Sequence, residues 1–132
     1  MSVIGIIGSV VVALAALLHV YIFVLESVRW MQPSTWRIFN VRDREQAEIL
    51  RPMAYNQGFY NLFLAVLVVL GIVLYAADRQ DVGLTLVVAG AGSMVAAGLV
   101  LILSSPSKAR AALVQLVPPA LGVLGVVLGL TL

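Results

Sequence analysis

Four long blocks of apolar residues dominate this chain, and each is about as long as the roughly 20 residues that a helix needs to cross a bilayer core. They cover approximately residues 3–28, 54–77, 82–104 and 111–130. Only 11% of the 132 residues are charged, whereas soluble domains carry about a quarter. We therefore predict an all-α integral membrane protein, a four-helix bundle that forms a single transmembrane domain over residues 1–132.

The first apolar block differs from a secretory signal peptide. No Lys or Arg precedes it, and its apolar run exceeds the roughly 7–15 residues of a signal core. We expect it to be retained as the first membrane helix.

The only long loop, residues 29–53, combines helix-starting residues with an amphipathic pattern. Pro33 and Thr35 are typical of a helix start. From residue 35 to residue 50, aromatic and aliphatic side chains mix with charged ones, as in helices that lie on a membrane surface. The pattern predicts a short amphipathic helix in the first loop, limited by Pro52.

The distribution of Lys and Arg predicts the orientation. Basic residues of short loops stay mainly in the cytoplasm, which places the first and third loops there and both termini outside, in a multi-pass protein of a cell membrane such as the bacterial inner membrane. Because acidic residues are interleaved with the basic ones, we expect no nucleic-acid partner. The basic residues are Arg29, Arg37, Arg42, Arg44 and Arg51 in the first loop, Arg79 in the second, and Lys108 and Arg110 in the third.

Polar residues at membrane depth are the candidates for a functional site, because such groups are costly in lipid and usually face a bundle interior or a wet cavity. His19 and Glu26 share one face of the first helix, about 10 Å apart along its axis. A polar face opens the second helix, and one glutamine precedes a Pro-Pro kink in the fourth. All these positions lie toward the predicted cytoplasmic side, where they are expected to converge as ligand-binding residues: His19, Glu26, Asn56, Gln57, Tyr60, Asn61 and Gln115.

Structural roles for the same residues remain open. Amide and imidazole groups also link membrane helices by hydrogen bonds worth about 0.6–2 kcal/mol each, and Glu26 could form an ion pair with Arg29 or another loop arginine. With one histidine and no cysteine, the chain excludes bis-histidine haem and zinc–thiolate sites. We expect no cofactor and no metal.

Three segments resemble a known family. Residues 19–30, residues 56–65 with the motif Asn-Gln-Gly-x-Tyr-Asn, and residues 115–120 with Gln-x-x-Pro are similar to the small four-helix membrane proteins grouped as domain of unknown function number 1304. The resemblance implies the fold and a candidate site, but no activity. Arg51 and Asn56 also resemble the membrane-associated eicosanoid and glutathione metabolism proteins, although the acidic residue expected one turn after the asparagine is missing here.

The sequence thus favours a membrane protein that binds or transports a small amphipathic or lipid-like molecule in a polar pocket facing the inner leaflet. The bilayer is the expected partner, and recurring small residues on the helices also suit a homo-oligomer. One alternative is an accessory subunit of a larger membrane complex. Another is a small membrane enzyme with His19 or Glu26 as acid or base, but no nucleophile, metal cluster or phosphate loop accompanies them.

Overall fold

The structure, a computed structural model, describes residues 1–132 and contains helices without strands, which confirms the predicted all-α bundle. A π-helical turn, Val24–Val28, follows the first helix, and a 3₁₀ turn, Pro106–Lys108, precedes the last. The five helices are α1 (Val3–Phe23), α2 (Pro33–Phe39), α3 (Arg44–Ala76), α4 (Gln80–Ser104) and α5 (Ala109–Leu128).

Four helical stretches are long and apolar enough to cross a membrane, as expected for a multi-pass membrane protein. The first includes the π turn and the last includes the 3₁₀ turn. They are Val3–Val28, Arg44–Ala76, Gln80–Ser104 and Pro106–Leu128.

The first loop contains a short helix, as predicted, but this helix has different bounds from residues 35–50. Its helix, α2, ends at Phe39, because Asn40 adopts a left-handed backbone conformation with φ of 56°. Pro52 was expected to end the loop helix, but it lies inside the following helix, α3. A proline removes one helical hydrogen bond, and α3 continues through it with buried alanines on either side, Ala47 and Ala54.

Asp43 caps the first turn of α3. Its Oδ1 accepts the backbone N–H of Gln46 at 2.8 Å, while Gln46 Oε1 accepts the backbone N–H of Arg42 at 2.6 Å. This reciprocal arrangement resembles a capping box, which satisfies N–H groups that have no partner within the helix. The hydrogen bond from Gln46, followed by that from the Arg42 side chain, lowers the pKa of Asp43 below its ordinary value.

We expect the start of α3 to loosen in acid. Because the pKa of Asp43 is lower in the folded protein, the cap's contribution is fully present above the unfolded carboxyl's pKa, about 3.9, and is lost as the pH falls through the lowered value. The protection factor of the Gln46 amide in hydrogen exchange should fall over that range. Asp43→Asn retains a good capping residue but has no carboxyl group to titrate. The same loss of Gln46 protection in this variant would show that protonation of Asp43 is not its cause.

Two compact units make up the chain. The first unit comprises residues 1–18 and 64–132, and the second comprises residues 19–63.

Glycines bring the helices of the first unit close together. A Cβ atom on Gly122 would lie 2.7 Å from the Val12 Cβ, and one on Gly71 would lie 2.7 Å from the carbonyl oxygen of Gly83. Since real Cβ atoms do not approach this closely, a side chain at either position would force the helices apart. The same close approach joins α1 to α5 at Gly8 and Gly125, where backbone packs directly on backbone.

Candidate functional site

The second unit contains a π turn at the end of the first membrane span. Its last hydrogen bond runs from the Arg29 N–H to the Val24 carbonyl at 2.8 Å, five residues back along the chain. Single π turns are rare and often lie at functional sites. This turn contains Glu26, one of the residues predicted to bind a ligand.

Glu26 is buried, with 5% of its surface exposed, and Asn61 of α3 contacts it directly. The Asn61 Nδ2 donates to Glu26 Oε1 at 2.9 Å and to the Gln57 carbonyl at 3.1 Å. The structure therefore joins two of the predicted site residues by a hydrogen bond between helices.

Gly58 permits this contact. A Cβ atom at Gly58 would lie 3.1 Å from the Glu26 Cβ and would overlap the Ser27 hydroxyl. Ser27 in turn donates its hydroxyl to the Tyr55 carbonyl at 2.8 Å. The π turn and α3 thus approach closely because position 58 has no side chain.

The other predicted residues lie elsewhere. His19 is buried on α1, with 2% exposed, whereas Asn56, Gln57 and Tyr60 are exposed on α3, Tyr60 to 71%. Gln115 is half-buried on α5, in the first unit.

The alternative of an ion pair at Glu26 is not observed. The ion pairs of the chain are Arg42–Asp43 at 3.2 Å and Arg44–Glu48 at 3.3 Å, both exposed. Nor does the structure bring three His, Asp or Glu side chains together as a metal site would require.

Side chains hold the first loop in place through backbone acceptors. Trp30 Nε1 donates to the Ala47 carbonyl at 2.8 Å, and Trp36 Nε1 donates to the Trp30 carbonyl at 2.7 Å. The buried Thr35 hydroxyl donates to the Arg29 carbonyl at 2.8 Å. The loop is therefore folded against the end of the first span and the start of α3.

We expect Thr35→Val to lower the free energy of unfolding by about 1–2 kcal/mol, because it removes this buried hydrogen bond while nearly conserving shape. Reversible unfolding in mixed detergent micelles would measure the change. Thr85→Val is the matched control, since Thr85 is exposed and its hydroxyl bonds the Asp81 carbonyl of its own helix. Equal losses in both variants would mean that Thr35 does not hold the loop.

A cleft of about 240 Å³ lies between α2 and the end of the first span. Three of its lining residues, Val24, Leu25 and Ile38, are apolar, whereas Arg29 is basic and Ser34 carries a hydroxyl. It is lined by Tyr21, Val24, Leu25, Arg29, Ser34 and Ile38. No pattern in the sequence predicts this cleft, because its residues come together only when the loop folds back.

Comparison with protein families agrees with the resemblance found in the sequence. Residues 13–127 match the family described as protein of unknown function (DUF1304). The chain belongs to this family. The DUF1304 match includes the Glu26–Asn61 pair and every residue that lines the cleft. No curated protein and no solved structure matches the chain significantly.

Proposed function

We propose that this DUF1304 protein binds a small amphipathic, lipid-like molecule in the cleft at the end of its first membrane span. The observation that carries the proposal is the composition of the cleft, which is lined by the apolar residues Val24, Leu25 and Ile38 together with the basic residue Arg29 and the hydroxyl-bearing Ser34. Pockets that enclose whole drug-sized ligands usually measure about 300–1,000 Å³. A cleft of about 240 Å³ suits a smaller molecule or one part of a larger one.

Glu26 and Asn61 support this cleft as positioning residues. Glu26 directly follows Leu25, which lines the cleft, and its hydrogen bond to Asn61 ties the π turn to α3. A ligand at the cleft would meet a wall whose backbone is already ordered, which reduces the cost of binding. The remaining predicted residues, His19, Asn56, Gln57, Tyr60 and Gln115, line no part of the cleft.

The charge distribution supports an inner-leaflet location for the cleft. Five of the eight Lys and Arg residues fall within residues 29–53, and such loops remain in the cytoplasm. We propose a cell-membrane protein with both termini outside. A reporter fused after Leu132 should be active only on the extracytoplasmic side, and activity confined to the cytoplasm would reverse the orientation.

Filling the cleft tests the proposed function. Ser34→Trp places a large side chain at a cleft-lining, exposed position, so we expect at least a tenfold loss of co-purified amphipathic molecules in native mass spectrometry. Ser107→Trp is the matched control, because Ser107 is also exposed and lies in the third loop. Equal retention by the wild type and Ser34→Trp, with both folded by circular dichroism, would refute the proposal.

A further inference from the structure

We infer that the occupant of the cleft is an anionic phospholipid of the surrounding bilayer, with its headgroup phosphate on the Arg29 guanidinium. This inference rests on the proposed function and adds the chemical class of the ligand. It depends on the position, charge and backbone support of Arg29.

Arg29 is the first residue after the candidate membrane span Val3–Val28, a position at which lipid headgroups are expected. Its side chain is exposed and takes part in neither of the chain's ion pairs. No acidic residue lines the cleft. A guanidinium remains charged at all physiological pH values and matches phosphate oxygens with two parallel hydrogen bonds.

Three hydrogen bonds fix the backbone of Arg29. Its N–H donates to the Val24 carbonyl at 2.8 Å, and its own carbonyl accepts the Thr35 hydroxyl at 2.8 Å and the Gln32 N–H at 3.1 Å. The cation therefore projects from an ordered position, and little backbone entropy remains to be lost when it binds an anion.

The shape of the cleft favours a lipid over a free phosphate ion. From Arg29 back to Tyr21, its lining extends about 12 Å along the helix axis, at about 1.5 Å per residue. Tyr21, Val24 and Leu25 belong to the membrane span. A lipid with its phosphate at Arg29 can therefore place its acyl chains against the apolar residues of the cleft. A soluble anion has no apolar part that would contact them.

Quenching of tryptophan fluorescence by brominated lipids tests this inference. The chain has two tryptophans, Trp30 and Trp36, and both lie in the second unit. We expect brominated phosphatidylglycerol to bind about fivefold more tightly than brominated diacylglycerol, which has the same chains without phosphate. Arg29→Gln should abolish this preference and Arg29→Lys should retain part of it.

Arg51→Gln is the matched control, because Arg51 is an exposed arginine of α3 outside the cleft and should leave the preference unchanged. Equal binding of the two lipids to the wild type would overturn the inference, and this comparison does not require any variant to fold. Displacement of phosphatidylglycerol by inorganic phosphate would also overturn it, in favour of a soluble anion. If the two lipids bind the wild type equally while Ser34→Trp still lowers co-purified lipid in native mass spectrometry, the proposed function stands without the phosphate; if Ser34→Trp leaves co-purified lipid unchanged, both proposals fail.

Discussion

Gly8→Ala is expected to lower the free energy of unfolding by about 2–3 kcal/mol, a large effect for a single added methyl group. The new Cβ would lie 2.5 Å from the carbonyl carbon and 2.9 Å from the Cα of Gly125. These are backbone atoms of α5, which cannot rotate away as a flexible side chain could. The two helices must therefore separate, with loss of the packing contacts that hold membrane helices together.

Gly92→Ala provides the matched control within the same unit. No heavy atom lies within 4 Å of a Cβ built at Gly92, so the same substitution on α4 meets open space. Alanine favours a helix over glycine by up to about 1 kcal/mol, and Gly92→Ala should be neutral or stabilising. Reversible unfolding of both variants in mixed micelles measures the difference, and a Gly8→Ala loss below about 0.5 kcal/mol would show that the contact is not tight.

The second large effect concerns Glu26 and Asn61. Glu26→Leu leaves the Asn61 amide only its bond to the Gln57 carbonyl, and Asn61→Leu leaves the Glu26 carboxyl buried without its donor. Each single change should cost about 1–3 kcal/mol of unfolding free energy, whereas replacement of both partners by apolar groups should cost less than the sum. We expect a coupling of about 1–2 kcal/mol in the double-mutant cycle.

The same cycle separates a positioning role from ligand contact. If Glu26 and Asn61 act by holding the π turn, the double variant regains both stability and lipid binding. Restored stability without lipid binding would instead show that these side chains touch the ligand. Strictly additive losses would mean that the observed hydrogen bond contributes nothing to the fold. Glu26→Gln, which retains an acceptor oxygen, should stay close to the wild type throughout.

Hydropathy was sufficient to predict the four membrane helices, because the cost of exposing a polar backbone to lipid leaves few other structures. It did not locate the start of α3, since Pro52 reads as a helix breaker until the contacts of Ala47 and Ala54 are known. Local spacing likewise placed Asn56, Gln57 and Tyr60 on one polar face, but which face points inward depends on the neighbouring helix. In the structure Gly58 packs against Ser27, so the face of α3 that contains Gly58 points inward. Asn56, Gln57 and Tyr60 are exposed.

Part of the candidate site was predictable for a similar reason. Glu26 and Asn61 were identified because intramembrane polar residues need partners, and they contact each other. The cleft depends on the Thr35 hydroxyl reaching the Arg29 carbonyl, a contact between a loop helix and a helix end that no periodic pattern encodes. Arg29 was visible in the sequence as a topology signal, but its position beside the cleft depends on the folded loop.

The length of α3 determines how this protein tolerates membranes of different thickness. Its 33 residues extend for about 50 Å, whereas a typical hydrocarbon core measures about 30 Å. The extra length of α3 lies at its N-terminal end, where charged residues occupy the first turns from Arg44 to Arg51. At the C-terminal end, the polar turn at Asp78 and Arg79 follows the helix closely. A thicker bilayer can therefore cover the uncharged residues 52–56 of α3 without moving the polar turn, so hydrophobic mismatch would be absorbed on the side of the first loop, up to the charge at Arg51.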